Sequence, residues 1–83
     1  MSSKVYVGNL SWSTTEDSLQ NAFSQYGEID MVQLIRDRDT GRSRGFGFVT
    51  YKDPSSANKA IDGLHEQDLD GRRIKVNLEN KRW

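Results

Sequence analysis

The segment Arg44-Gly45-Phe46-Gly47-Phe48-Val49-Thr50-Tyr51 constrains the fold more than any other part of the chain. Read as a strand, its side chains alternate between two faces. Gly45, Gly47, Val49 and Tyr51 fall on one face, and Arg44, Phe46, Phe48 and Thr50 on the other. Large rings therefore point both ways. A sheet built on this strand either has cover on both sides or leaves aromatics on an open one. The number of helices that the rest of the chain supplies decides between these.

It supplies two. Lys4 to Asn9 reads as a first strand, in which Val5 and Val7 alternate with Lys4, Tyr6 and Gly8. Thr14 is placed as the cap of a first helix, with Asp17 three residues on as a weak capping-box partner. Leu19, Ala22, Phe23 and Tyr26 form its apolar stripe, and Gly27 ends it. Ile29 to Arg36 is a second strand, with Val32 and Leu34 on one face and Met31, Gln33 and Ile35 on the other. Asp37 to Ser43 is polar and turn-forming, and Arg44 to Tyr51 is the third strand. Asp53 caps a second helix that has Pro54 at its first position. Its stripe is Ala57, Ala60, Ile61 and Leu64, and Gly63 reads as its stop. A polar connection over 65–72 closes with the turn pair Asp70-Gly71, and Arg73 to Leu78 is the fourth strand.

The order is βαββαβ. It predicts an α+β, ferredoxin-like domain, a four-stranded antiparallel sheet with both helices on one face. A chain of 83 residues makes one domain with a modest core, since it buries only about 60% of its unfolded surface or a little more. Val5, Val7, Val32, Leu34, Val49, Tyr51, Ile74 and Val76 give the helices their partner face. Gly45 and Gly47, on that side, are expected to let a helix approach the strand. Tyr6, Phe46 and Phe48 are left on the open face. A phenylalanine in a strand is ordinarily core, but here that would require helices on both faces and would bury Arg44 and Lys4. Large aromatics clustered on a surface mark a binding site. An unpaired base offers them a flat π-face, and stacking contributes ~1–3 kcal/mol per base whatever its identity. Arginine and lysine on the same face can meet phosphates. Duplexes do not present free base faces, so the ligand should be single-stranded.

Charge looks unhelpful at first, with twelve basic and twelve acidic residues. Its distribution is informative. Acidic excess falls on the helical stretches 14–30 and 53–70, and basic excess on 36–44 and 71–83. A neutral chain can thus carry one positive face. The absence of cysteine excludes disulfides, thiolate metal sites and cysteine nucleophiles. His65 is the single histidine and reads as solvated, so no metal or cofactor is expected. The N-terminus lacks the apolar core of a signal peptide and no run reaches the ~20 apolar residues of a membrane span. An intracellular monomer, nuclear or cytoplasmic, is the expectation. Gly45-Phe46-Gly47 is not a phosphate loop, since it lies within a strand and lacks the lysine of that motif.

Residues 44–51 also resemble the octamer of the RNA-recognition motif family, K/R-G-F/Y-G/A-F-V-x-F/Y, at every defined position. Val5-Tyr6-Val7-Gly8-Asn9-Leu10 is similar to that family's hexamer. With Asn9-Leu10-Ser11-Trp12, the 37–43 loop and Gly71 to Asn77, the chain looks most like the domain of glycine-rich and cold-inducible RNA-binding proteins. The resemblance implies a domain over 4–80 with 81–83 as an extension, and such domains commonly continue into a Gly/Arg-rich tail. It implies base contacts from Tyr6, Phe46 and Phe48 and a phosphate contact from Arg44. It extends the site to the outward residues Gln33, Ile35, Lys75 and Asn77, with Lys4 and Asn9 beside the first strand. Leu78, Glu79, Asn80 and Arg82 are further candidates, and Arg38 and Arg42 could hold RNA backbone or simply solvate their loop. Trp12 could meet a nucleotide or pack over a helix start.

Three other functions compete. A protein-interaction domain of this fold typically lacks the aromatics, and this chain has all three. Small phosphatases share the topology, but no nucleophile–base–orienter set is visible. Single-stranded DNA fits a stacking face as well as RNA does, unless a 2′-hydroxyl is contacted.

Overall fold

A computed structural model describes residues 3–41 and 43–79, with the side chains of Ser43 and Arg44 excepted. Its strands are β1 (Lys4–Gly8), β2 (Ile29–Arg36), β3 (Ser43–Tyr51), β4 (Asp68–Leu69), β5 (Arg72–Arg73) and β6 (Lys75–Leu78). Its helices are α1 (Glu16–Phe23), continued by a 3-10 turn (Ser24–Tyr26), and α2 (Pro54–Leu64). The order is the expected βαββαβ with a small hairpin, β4–β5, inserted before the last strand.

The main sheet runs β2-β3-β1-β6 and every neighbour pair is antiparallel. Period two decides its faces. Val5 and Val7 of β1, Leu34 of β2, Val49 and Tyr51 of β3 and Val76 of β6 are buried against Leu19 and Phe23 of α1 and Ala57 and Ala60 of α2. Each helix turns one apolar stripe to that layer. Small residues in α2 let it lie close.

Local expectations needed correction in five places. The cap of α1 is Thr15, whose hydroxyl accepts from the Ser18 amide at 3.2 Å. Thr14 is buried instead and donates to Asp70 at 2.8 Å, tying the β1–α1 loop to the hairpin. Gly63 lies inside α2, which runs to Leu64, and the Tyr26 ring crosses it. Gly47 serves a strand rather than a helix, since a side chain there would run into the Gln33 carbonyl of β2. The fourth strand is interrupted at Ile74. There the amide donates to the Gln67 carbonyl and the carbonyl accepts from the Glu66 amide, so this residue turns its backbone to the 65–67 segment. His65 is not merely solvated: its Nδ1 accepts from the Val76 amide of β6 at 3.0 Å.

Candidate nucleic-acid interface

The registers of the three strand pairs line up, and the open face becomes a grid. Gln33 of β2 stands opposite Phe48 of β3, Phe48 opposite Tyr6 of β1, and Tyr6 opposite Asn77 of β6. One row thus crosses all four strands, polar at its ends and aromatic at its centre. The adjacent row holds Phe46, Gly8 and Lys75. The row on the other side holds Met31, Thr50 and Lys4.

The three rings touch one another. Tyr6 and Phe46 have centroids 6.1 Å apart and planes 28° apart. Phe48 meets Tyr6 edge-on at 5.9 Å and Phe46 at 6.2 Å, with interplanar angles of 65° and 88°. These spacings lie in the attractive range for aromatic pairs, so the cluster braces itself. All three rings are half-buried, which leaves surface for a ligand. Lys4 Nζ lies 4.6 Å from the Phe48 centroid. A cation over a ring is held by about 0.5–1 kcal/mol at an exposed site. A base taking that face of Phe48 must move the ammonium aside, towards the phosphate role expected of it.

Around this cluster the candidates divide. Gln33 and Asn77 are exposed at the two ends of the central row and Ile35 is half-buried on β2. Lys75 is exposed but bonds Glu66 at 2.9 Å. Asn9, in a left-handed conformation at φ 58°, uses both ends of its amide within the chain. It donates to the Arg73 carbonyl at 2.6 Å and accepts from Arg72 at 2.7 Å, and so fastens the β4–β5 hairpin to the end of β1. Glu79 is half-buried, with its amide on the Lys4 carbonyl at 2.8 Å. Arg38 is exposed in a loop that Asp37 organises by accepting from the amides of Asp39 and Thr40. Arg42, Asn80 and Arg82 lie outside the described residues, as does the side chain of Arg44. Trp12 does not pack over the helix start; it is 81% exposed at the tip of a turn closed by Thr14 N–H on the Ser11 carbonyl. Met31, 53% exposed, and Thr50 belong to the same face. Their period-two phase was the signal that could have added them.

Hydrogen bonds from Lys52 and Lys75 hold the carboxyls of Glu28 and Glu66 below their ordinary range, and the Ser55 amide does so for Asp53. Burial pushes the Tyr51 phenol upward. Among the described residues no group of His, Asp or Glu is arranged to hold a metal, and no helix is long and apolar enough to cross a membrane.

Comparison with protein families matches residues 5–75 to the RNA recognition motif. Glycine-rich RNA-binding protein 1 of Mycosarcoma maydis is 60% identical over 82 residues, which is 99% of this chain and 47% of that protein. A glycine-rich RNA-binding protein of Daucus carota is 53% identical over 79 residues, 95% of this chain and 50% of that one. The chain thus spans about half the length of these relatives. Among solved structures, RNA binding protein PG1 superposes with a TM-score of 0.91 at 42% identity, covering 98% of each chain. An SXL-lethal protein/RNA complex superposes at 0.88 with 35% identity, over 93% of this chain and 47% of that one.

Proposed function

The chain belongs to the RNA recognition motif family, and we propose that it binds single-stranded RNA on the open sheet face. Bases stack on Tyr6, Phe46 and Phe48, Arg44 and Lys4 meet phosphates, and Gln33 and Asn77 read base edges from either end of the central row. The observation that carries the reading is the aromatic cluster itself. Three contacting rings occupy the middle of a sheet face that neither helix covers. The names of its relatives, RNA-binding proteins from a fungus and a plant, agree with this. A nuclear or cytoplasmic site of action belongs to the same proposal.

The test is fluorescence anisotropy with a short random-sequence single-stranded RNA. Each ring-to-alanine change should weaken binding by ~1–3 kcal/mol, the contribution of one stacked base. The same sequence as DNA is the second arm, because only contacts to the 2′-hydroxyl separate the two. Undiminished RNA binding by the Phe46→Ala/Phe48→Ala protein would reject the stacking face.

A further inference from the structure

Gly8 stands in phase with Tyr6 on the open face, yet it is buried. The Tyr6 ring covers it. A methyl group built on Gly8 would lie 2.5 Å from Tyr6 Oη, 2.8 Å from Cε2 and 2.9 Å from Cζ. Carbon atoms in good contact sit about 3.5–4.0 Å apart. The hydroxyl end of the ring therefore occupies the space that any side chain at residue 8 would need. The ring leans along β1 over this glycine, towards the row that holds Phe46, to which its plane is inclined by 28°.

We infer that Gly8 is a positioning residue for the central base-stacking ring: the missing side chain lets Tyr6 lie down on the sheet. With a side chain at residue 8 the far end of the Tyr6 ring must shift, and its orientation beside Phe46 shifts with it. The backbone sets no barrier to the substitution, because Gly8 is not among the positive-φ glycines. The core sets none either, because Val7 and not Gly8 points into it. An alanine also fixes less backbone entropy on folding than a glycine does. Stability and binding should accordingly move apart. The inference rests on the reading that Tyr6 stacks a base.

The experiment is a four-protein cycle of the wild type, Gly8→Ala, Tyr6→Ala and the double variant. Each is titrated with a fluorescein-labelled random-sequence single-stranded RNA and melted thermally. Gly8→Ala should bind roughly 5-fold or more weakly with a Tm no lower than the wild type. In the Tyr6→Ala background the same change should alter affinity less than about 2-fold, because the ring it acts through is gone. In the free protein, the pattern of nuclear Overhauser contacts between the Tyr6 and Phe46 rings should change in Gly8→Ala. Wild-type binding by Gly8→Ala, with Tyr6→Ala weakened, overturns the positioning role and leaves the stacking reading standing. Full binding by Tyr6→Ala overturns both. A Gly8→Ala protein that fails to fold, or one whose loss persists without Tyr6, also overturns it.

Discussion

The Tyr51 hydroxyl donates to the backbone carbonyl of Phe23 at 2.6 Å, in the buried layer between β3 and the end of α1. Tyr51 and Phe48 share a strand but face opposite ways, so one strand separates stability from binding. Tyr51→Phe leaves the Phe23 carbonyl without this donor, and an unsatisfied buried acceptor costs about 1–3 kcal/mol. Urea unfolding should register that loss, while affinity for single-stranded RNA stays at the wild-type level.

The same phenol predicts a response to alkali. Burial raises its ionisation above the ordinary value of 10.0. The unfolded chain therefore loses this proton first. Stability is full below about pH 10 and falls as pH rises beyond it. Denaturation midpoints measured from about pH 8 to pH 11 should fall at the top of that range, and Tyr51→Phe should flatten the fall.

Acid should act through different groups. The carboxyls of Glu28, Asp53 and Glu66 are held low by Lys52, Ser55 and Lys75. A depressed carboxyl stabilises the fold above its unfolded value and ceases to do so as pH falls through the folded one. The loss should begin below the ordinary values of 4.5 for the glutamates and 3.8 for Asp53. Glu28→Gln should reduce the pH dependence of Tm, and so should added salt, since both partners of that pair are exposed.

The two threonines before α1 give a further contrast. Thr15→Ala removes the hydroxyl that caps the helix and should cost about 0.5–2 kcal/mol. Thr14→Val removes the bond to Asp70 instead. Hydrogen exchange should therefore show Thr15→Ala opening the first turn of α1, and Thr14→Val loosening the hairpin at residues 68–73.

Gly47→Ala tests where the close approach lies. The added methyl would meet the backbone of Gln33 and Leu34, which no rotamer change can relieve. Pushing β2 from β3 should cost roughly 1–3 kcal/mol or more, read by urea unfolding. The approach of a helix to the strand would instead place the damage in α1 or α2 when amide shifts are mapped.

Patterns that repeat along the chain were readable from it. The phase of β3 placed Phe46 and Phe48 opposite Val49 and Tyr51, and the stripe of α1 placed Leu19 and Phe23 in the core. Contacts between distant residues were not readable. Gly63 looks like a stop because only the fold brings Tyr26 across it. His65 looks solvated because its partner, the Val76 amide, belongs to another element. Thr14 and Thr15 are equivalent as caps until Asp70 engages one of them. The grid depends on register, and register follows from pairing. Composition could not show that Gln33, Phe48, Tyr6 and Asn77 stand in one line.

The last strand of a sheet usually offers a row of unsatisfied amides and carbonyls on which another molecule can add a strand. Here the row is interrupted from within. The 65–67 segment takes both backbone groups of Ile74, and the imidazole of His65 takes the amide of Val76. Edge-to-edge polymerisation needs two open margins, so that each added molecule presents a fresh one. With the β6 margin engaged at these two positions, one of the two margins is a poor template for strand addition.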